Sequence, residues 1–160
     1  MKTIETTIYE LFTDNQWTLS TAESCTGGRI AACLTKQPGA SEYFLGGIVC
    51  YSNELKKKLI HVPQAVLDHH GAVSKETVIA MAAGVIATTG SDFGIAISGI
   101  AGPAGGSPDK PVGTVWIAIV KKDHLPIAWC FHSHGTREMI MGESVEAALN
   151  GLLHYCTGLL

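Results

Sequence analysis

A chain of 160 residues, 46% apolar and 16% charged, is long enough for one domain with a sizeable core and too apolar to be disordered. Its net charge is −3 and no basic run exceeds Lys56-Lys57-Lys58, which argues against broad electrostatic attraction to nucleic acid. The five cysteines (25, 33, 50, 130 and 156) include no C-x-x-C pair and suggest neither a disulfide framework nor a cysteine-rich zinc site. No apolar run approaches the ~20 residues of a membrane span, and the acidic, amphipathic start Met1–Glu5 is unlike a signal peptide. The expectation is a reduced, cytoplasmic, soluble protein.

In chain order, Ile4, Ile8, Leu11 and Phe12 recur at helical spacing and predict a helix over 2–14, broken by Asp14-Asn15. A short alternating run, Trp17 to Leu19, opens a strand that leads through Thr21-Ala22-Glu23-Ser24-Cys25-Thr26-Gly27-Gly28 into a helix from Ser24 to about Lys36. Gln37-Pro38-Gly39 stops that helix. Phe44–Tyr51 reads as a largely buried second strand. Asn53–Ile60 reads as a helix with Leu55, Leu59 and Ile60 inward and Lys57 or Lys58 outward. A short helix over 62–68 ends near Gly71. Ser74 starts another that runs to about Thr88, with an alanine-rich face (Ala80, Ala82, Ala83, Ala87) for packing on a sheet.

Phe93–Ser98 is a strand followed by the glycine-rich loop that runs to Pro108. Val112–Val120 and Leu125–Ser133 form an antiparallel hairpin, and Arg137–Cys156 closes the chain as a long helix. Strands alternating with helices, plus one hairpin, predict an α/β protein with helices on both faces of a mixed sheet. No linker or internal repeat divides it, so 1–160 reads as a single domain.

Four constellations carry chemistry. A strand that ends in hydroxyls and glycines before a helix offers unpaired N–H groups and the positive end of a dipole, which suits a phosphate or an oxyanion. Ser24 at that junction reads equally as a helix cap and as a nucleophile, and Cys25 is the rival nucleophile. A second junction, Tyr51-Ser52-Asn53-Glu54-Leu55-Lys56, lies near Ser24 if the two strands are neighbours. A lysine there serves as base only if its pKa falls by roughly 3 units from about 10.4, an environmental effect of about 4 kcal/mol. Spacing alone does not choose among Lys56, Lys57 and Lys58, and a solvated face is the alternative.

The third is the loop from Ser98 to Gly106, which lacks both the Walker A and the G-x-G-x-x-G spacing and reads either as an anion nest or as a corner. His132-Ser133-His134 puts two imidazoles on one strand face, a weak metal signal without a third ligand. Arg137, at the start of the last helix, reads as an exposed helix arginine or as a phosphate partner.

Taken together in order, Ala22–Gly28, Tyr51–Lys56, Gly71-Ala72-Val73-Ser74, Ser98–Gly106 and Lys110-Pro111-Val112-Gly113-Thr114-Val115 resemble the C-terminal domain of CinA-type competence/damage-inducible proteins, a family that includes stand-alone nicotinamide-nucleotide amidases. The resemblance covers most of residues 17–140. It implies a three-layer α/β/α sandwich with a mixed, mostly parallel sheet. The implied reaction deamidates nicotinamide mononucleotide to nicotinic acid mononucleotide and ammonia, in pyridine-nucleotide salvage, with no cofactor and no metal.

On the matching positions, Ser24 would be the nucleophile, Lys56 its general base and Tyr51 an assistant in proton transfer. Backbone groups of Cys25, Thr26, Gly27 and Gly28 would hold the oxyanion. Asn53, Ser98, Gly99, Gly102, Gly105, Gly106 and Arg137 would contact the nucleotide. The family often has Gly-Asp-Arg before the last helix, where this chain has Gly135-Thr136-Arg137. The runner-up is a non-catalytic nucleotide-binding module, with Ser24, Thr26 and Ser98 as phosphate ligands. The expected partner is a small nucleotide, with no nucleic acid and no membrane. The alanine-rich or the C-terminal helix could support a homodimer.

Overall fold

The computed structural model describes residues 2–159. Helix α1 spans Ile4–Asp14, strand β1 Leu19–Glu23, α2 Arg29–Leu34, β2 Phe44–Val49, α3 Asn53–Ile60, α4 Gln64–His70, α5 Lys75–Thr89, β3 Phe93–Gly99, β4 Thr114–Lys121, β5 Ile127–His132 and α6 Arg137–Cys156. A single 3-10 turn, Ala40–Glu42, precedes β2. The sheet order is β2-β1-β3-β4-β5. β1 pairs in parallel with both β2 and β3, and β3-β4 and β4-β5 are antiparallel. Four of the five strands therefore run in the same direction, while the pairings divide evenly. The fold is a three-layer α/β/α sandwich.

The two faces of the sheet are built differently. Leu19, Phe93, Ile95, Ile97, Val115, Ile117 and Ile119 point to the layer of α1, α2 and α6, where Ile8, Phe12, Ile30, Leu34, Ile140 and Leu149 close on them. Full burial of side chains this size contributes about 1.5–3 kcal/mol each, so this face carries most of the apolar stabilisation. On the other face Ala22, Ala96 and Ala118 are small, and α5 lies close over them with Val78, Met81, Ala82 and Val85. Helix α3 lies close in turn. A Cβ on Gly84 would sit 1.8 Å from the Ile60 carbonyl oxygen, so only glycine permits that approach.

Four helices cap themselves. Thr3, Ser52, Ser74 and Thr136 each accept a hydrogen bond from the N–H three residues on, a contact worth about 1 kcal/mol apiece. The predicted starts of α3, α5 and α6 agree with the structure for that local reason, whereas the Thr3 cap starts α1 at Ile4 and not at residue 2. Helices α2 and α4 have no side-chain cap, and α2 departs furthest from its predicted start. Residues 24–28 form a turn, with Gly27 and Gly28 at positive φ (59° and 97°), and the helix begins only at Arg29.

Three other expectations are corrected. β2 is an edge strand whose residues alternate between half-buried and exposed, because one of its ladder edges has no neighbour. In α3 the inward residues are Lys56 and Ile60, one turn apart, whereas Leu55 and Leu59 are exposed. In α5, Ala83 and Ala87 face away from the sheet, and the helix packs through its larger apolar residues with Ala82 and Gly84.

The connection after β1 enters the α2 layer and that after β2 enters the α3 layer, on opposite faces of the sheet. Adjacent parallel strands whose outgoing loops diverge leave a crevice at their carboxyl ends, the usual position of ligand sites in such sheets. Ser24 stands at that point on one strand and Tyr51 on the other.

Candidate active site

The register fixes the two junctions side by side. Glu23 pairs with Val49 on one side and with Ile97 on the other, and the Ser24 N–H donates to the Ile97 carbonyl at 3.0 Å. The Ser52 cap starts α3, so its first turn swings Lys56 back beneath β1. Lys56 is 1% exposed, an extreme value for a lysine. Its Nζ lies 3.1 Å from Ser24 Oγ, 3.1 Å from the Cys50 carbonyl and 3.2 Å from the Tyr51 carbonyl. No carboxylate is among these contacts, so burial dominates and lowers the Lys56 pKa from its ordinary 10.5. The structure thus separates the three lysines that spacing left equivalent. Lys57 pairs with Glu54 at 2.7 Å, and Lys58 is exposed.

The donors around Ser24 are divided by Glu23, whose carboxylate is 1% exposed. It accepts from the Thr26 hydroxyl at 2.6 Å and from the N–H groups of Gly28 (3.1 Å), Ile30 (3.1 Å) and Ala31 (2.8 Å). The start of α2 therefore already holds an anion supplied by the preceding strand. The Gly27 N–H turns back to the Ser24 carbonyl. That leaves the N–H groups of Cys25 and Thr26 without an acceptor among the described residues. The Cys25 thiol is buried, and burial pushes its pKa up to about 12.

The remaining candidates fall in two groups. Tyr51, 56% exposed, turns its phenol outward, where it accepts from Arg137 Nη2 at 2.8 Å, while Arg137 Nη1 donates to the Gly102 carbonyl at 2.8 Å. Arg137 thus ties the second junction to the glycine-rich loop and to the start of α6. The phenol makes no hydrogen bond to Ser24 or Lys56; Tyr51 meets Lys56 through its carbonyl. Ser98 is buried and donates to the Ala72 carbonyl at 2.8 Å. Gly105 and Gly106 lie exposed on the loop, Gly99 ends β3, and Asn53 is exposed at the first position of α3. His132 and His134 are exposed, and among the described residues no group of three His, Cys, Asp or Glu side chains is placed to hold a metal.

Two features escaped the sequence reading. Glu23 carried a signal, an acid that ends a strand just before a Gly-Gly turn into a helix. The Arg137–Tyr51 contact, spanning most of the chain, carried none.

The sequence matches the model of the CinA C-terminal domain over residues 1–156. It is 46% identical over 155 residues to a CinA-like protein of Thermotoga maritima, covering 97% of this chain and 38% of that relative. It is 50% identical over 139 residues to a CinA-like protein of Geotalea uraniireducens, covering 87% of this chain and 33% of that relative. The chain thus spans less than two-fifths of the length of these curated relatives. Among solved structures, the competence/damage-inducible protein CihA of Agrobacterium tumefaciens superposes with a TM-score of 0.91 at 36% identity, over 94% of this chain and 92% of that one. The CinA superfamily protein KP700603 of Klebsiella pneumoniae superposes with a TM-score of 0.93 at 34% identity, over 97% of this chain and 96% of that one. A crevice at the ends of β1 and β2, a buried lysine on a serine and a match over nearly the whole length agree: the chain belongs to the CinA C-terminal domain family.

Proposed function

We propose that the protein is a serine amidase that hydrolyses the carboxamide of nicotinamide mononucleotide to nicotinic acid mononucleotide and ammonia. The observation that carries this reading is the setting of Lys56. A neutral amine has two hydrogens and one lone pair. The Cys50 and Tyr51 carbonyls are placed to take the hydrogens, which turns the lone pair toward Ser24 Oγ at 3.1 Å. Burial favours that neutral form, as a general base requires.

In this mechanism Lys56 takes the Ser24 proton as Oγ attacks the carboxamide carbon. The free N–H groups of Cys25 and Thr26 face the developing oxyanion, a contact of a kind worth about 3–4 kcal/mol per donor. Lys56 returns the proton to the departing nitrogen, which leaves as ammonia. Water then gives a proton to Lys56 and its oxygen to the acyl-enzyme, and the carboxylate departs as Ser24 regains its hydrogen. The pyridinium charge of the substrate draws electrons from the carbonyl and eases both attacks. Arg137 keeps the glycine-rich loop and Tyr51 together at the mouth of the crevice. For Tyr51 to assist proton transfer, its phenol must leave Arg137 and turn inward when substrate is bound.

The non-catalytic alternative asks Thr26 and Ser98 to bind phosphate, yet both hydroxyls already donate within the protein. Ammonia release from nicotinamide mononucleotide by the wild type and by Ser24→Ala tests the proposal. Release that falls by at least about 10³-fold in the variant is expected. Undiminished release by the variant refutes the serine mechanism, and a wild type that binds the nucleotide without releasing ammonia refutes the amidase.

A further inference from the structure

The sheet ends at β2 on one side and at β5 on the other, and the two edges are finished differently. An open edge displays unpaired backbone groups, and chains that stay apart blunt such edges with proline, charge or a cover. β5 is entered through Pro126, after the run Lys121-Lys122-Asp123, and it ends in His132. β2 has none of these devices. From Tyr43 to Asn53 the chain carries neither a charge nor a proline. Leu45 and Val49 are 48% and 44% exposed and flank the exposed Gly47, whereas Phe44, Gly46 and Ile48 are half-buried. The one irregularity in the ladder with β1 lies between Leu19 and Ser20, and from Gly46 to Val49 the register is regular.

The backbone of this strand is turned outward where it is exposed. The Cys50 N–H donates to the Glu23 carbonyl at 2.9 Å. Successive residues of a strand present their backbone groups to opposite edges, so Ile48 faces β1 as Cys50 does, and Gly47 and Val49 turn theirs to the open side. The apolar surface continues past the strand through Tyr51 and through Leu55 and Leu59, one turn apart on α3. Five of the eight large exposed apolar side chains among the described residues thus lie between positions 45 and 59. α5 exposes none and α6 only Met139, so neither long helix offers a comparable surface. Val49 also borders the crevice, because a Cβ on Gly28, in the turn after Ser24, would lie 3.4 Å from Val49 Cγ2.

The edge is complementary to itself. A two-fold axis through Gly47 sets Leu45 opposite Val49 of a second copy and Val49 opposite its Leu45, with glycine facing glycine at the centre. Aliphatic and β-branched residues paired across antiparallel strands stabilise one another. The uncharged stretch brings no like charges together when it meets its own copy, and it gives an acidic or basic partner nothing to hold.

We propose that a second copy of the chain docks on β2 by antiparallel pairing about a two-fold axis at Gly47, so that the two sheets join into one continuous sheet. Such an interface is isologous and closed. Gly47 exchanges both of its outward backbone hydrogen bonds with Gly47 of the second copy, the closely spaced arrangement of an antiparallel ladder. The seam runs beside Val49 and Tyr51, so each crevice has the second copy along its outer rim. The pairing does not depend on the chemistry at Ser24.

Light scattering coupled to gel filtration, over a series of concentrations, tests the pairing and its register. The wild type should show twice the chain mass of 16.9 kDa. Leu45→Lys/Val49→Lys sets like charges against each other at both ends of the pairing and should give the single-chain mass with an unchanged melting temperature. Leu45→Lys/Val49→Glu adds as many charges but sets opposite signs against each other, and should restore the doubled mass. In the wild type, the amide hydrogens of Gly47 and Val49 should exchange at least about tenfold more slowly at concentrations that give the doubled mass than after dilution. A single-chain mass for the wild type at every concentration overturns the proposal. So does a doubled mass that survives Leu45→Lys/Val49→Lys, or exchange at Gly47 and Val49 that ignores concentration. Loss of the doubled mass in both charge variants refutes the two-fold axis at Gly47. If Leu45→Lys/Val49→Lys loses its melting transition, exchange in the wild type decides alone.

Discussion

Replacing Lys56 by methionine separates chemistry from stability in a way that the geometry makes quantitative. The substitution keeps an unbranched chain of similar length in a site that is 1% exposed, so no large cavity forms. Two carbonyls, Cys50 and Tyr51, lose their lysine donor, at about 1–3 kcal/mol for each that stays unsatisfied. Against this, the variant no longer desolvates an amine that carries charge whenever the pH lies below its folded-state pKa. The opposed effects leave a net change in stability within about 2 kcal/mol.

Catalysis has no such offset. Loss of a positioned base removes about 10²–10⁴ in rate, or roughly 3–5 kcal/mol of barrier lowering. The assay is ammonia release against pH, with chemical denaturation of the same samples. In the wild type, kcat/KM should rise with pH through the lowered pKa of Lys56 and level off below 10.5. Lys56→Met should lose that limb together with the rate.

Stability follows the same titration. Between the lowered folded-state pKa and 10.5 the unfolded chain holds a proton that the folded chain has released, so wild-type stability rises with pH across that window. Below the folded-state value both states are protonated and the cost of the buried charge is present in full. A folded Lys56→Met protein whose rate stays within tenfold of wild type, or that keeps the same acid limb, refutes the assignment of Lys56 as base.

Cys25→Ala should keep ammonia release within about tenfold of wild type, because a thiol pushed up to about 12 stays protonated at neutral pH and is a weak nucleophile there; a loss as deep as that of Ser24→Ala would move the nucleophile to Cys25. Glu23→Gln should cost about 2–4 kcal/mol in denaturation, since the new amide turns N–H groups toward a ring of donors that the carboxylate satisfied. A stability within 0.5 kcal/mol of wild type, to the order expected of a neutral surface change, would show that the carboxylate does not hold the turn.

The legible parts of the fold were those specified locally. Helices α3, α5 and α6 begin beside their own Ser or Thr caps, and the β4–β5 hairpin follows from two strand-like runs around a short polar turn. The illegible parts depend on partners distant in sequence. Nothing in Phe44–Val49 says that one of its edges lacks a neighbour. Nothing in Asn53–Ile60 makes a lysine the inward residue ahead of two leucines, because the groups that satisfy it belong to β1 and to the β2–α3 junction. An apolar pattern assigns faces by hydrophobicity, and Lys56 is buried against that pattern.

The same contrast governs the site. The residues of the Thr21–Gly28 stretch suggested a helix end open to a ligand anion, and the structure fills that end with Glu23. With the α2 donors consumed by an internal carboxylate, two N–H groups remain beside Ser24. Two donors suit a single carbonyl oxygen that gains charge; a phosphate dianion would call on more. A phosphate at this helix end would find most of the donors already taken by Glu23, whereas the two that remain fit the acyl chemistry proposed above. The end of α2 is closed to a further anion because Glu23, the residue before Ser24, itself supplies the carboxylate that its donors hold.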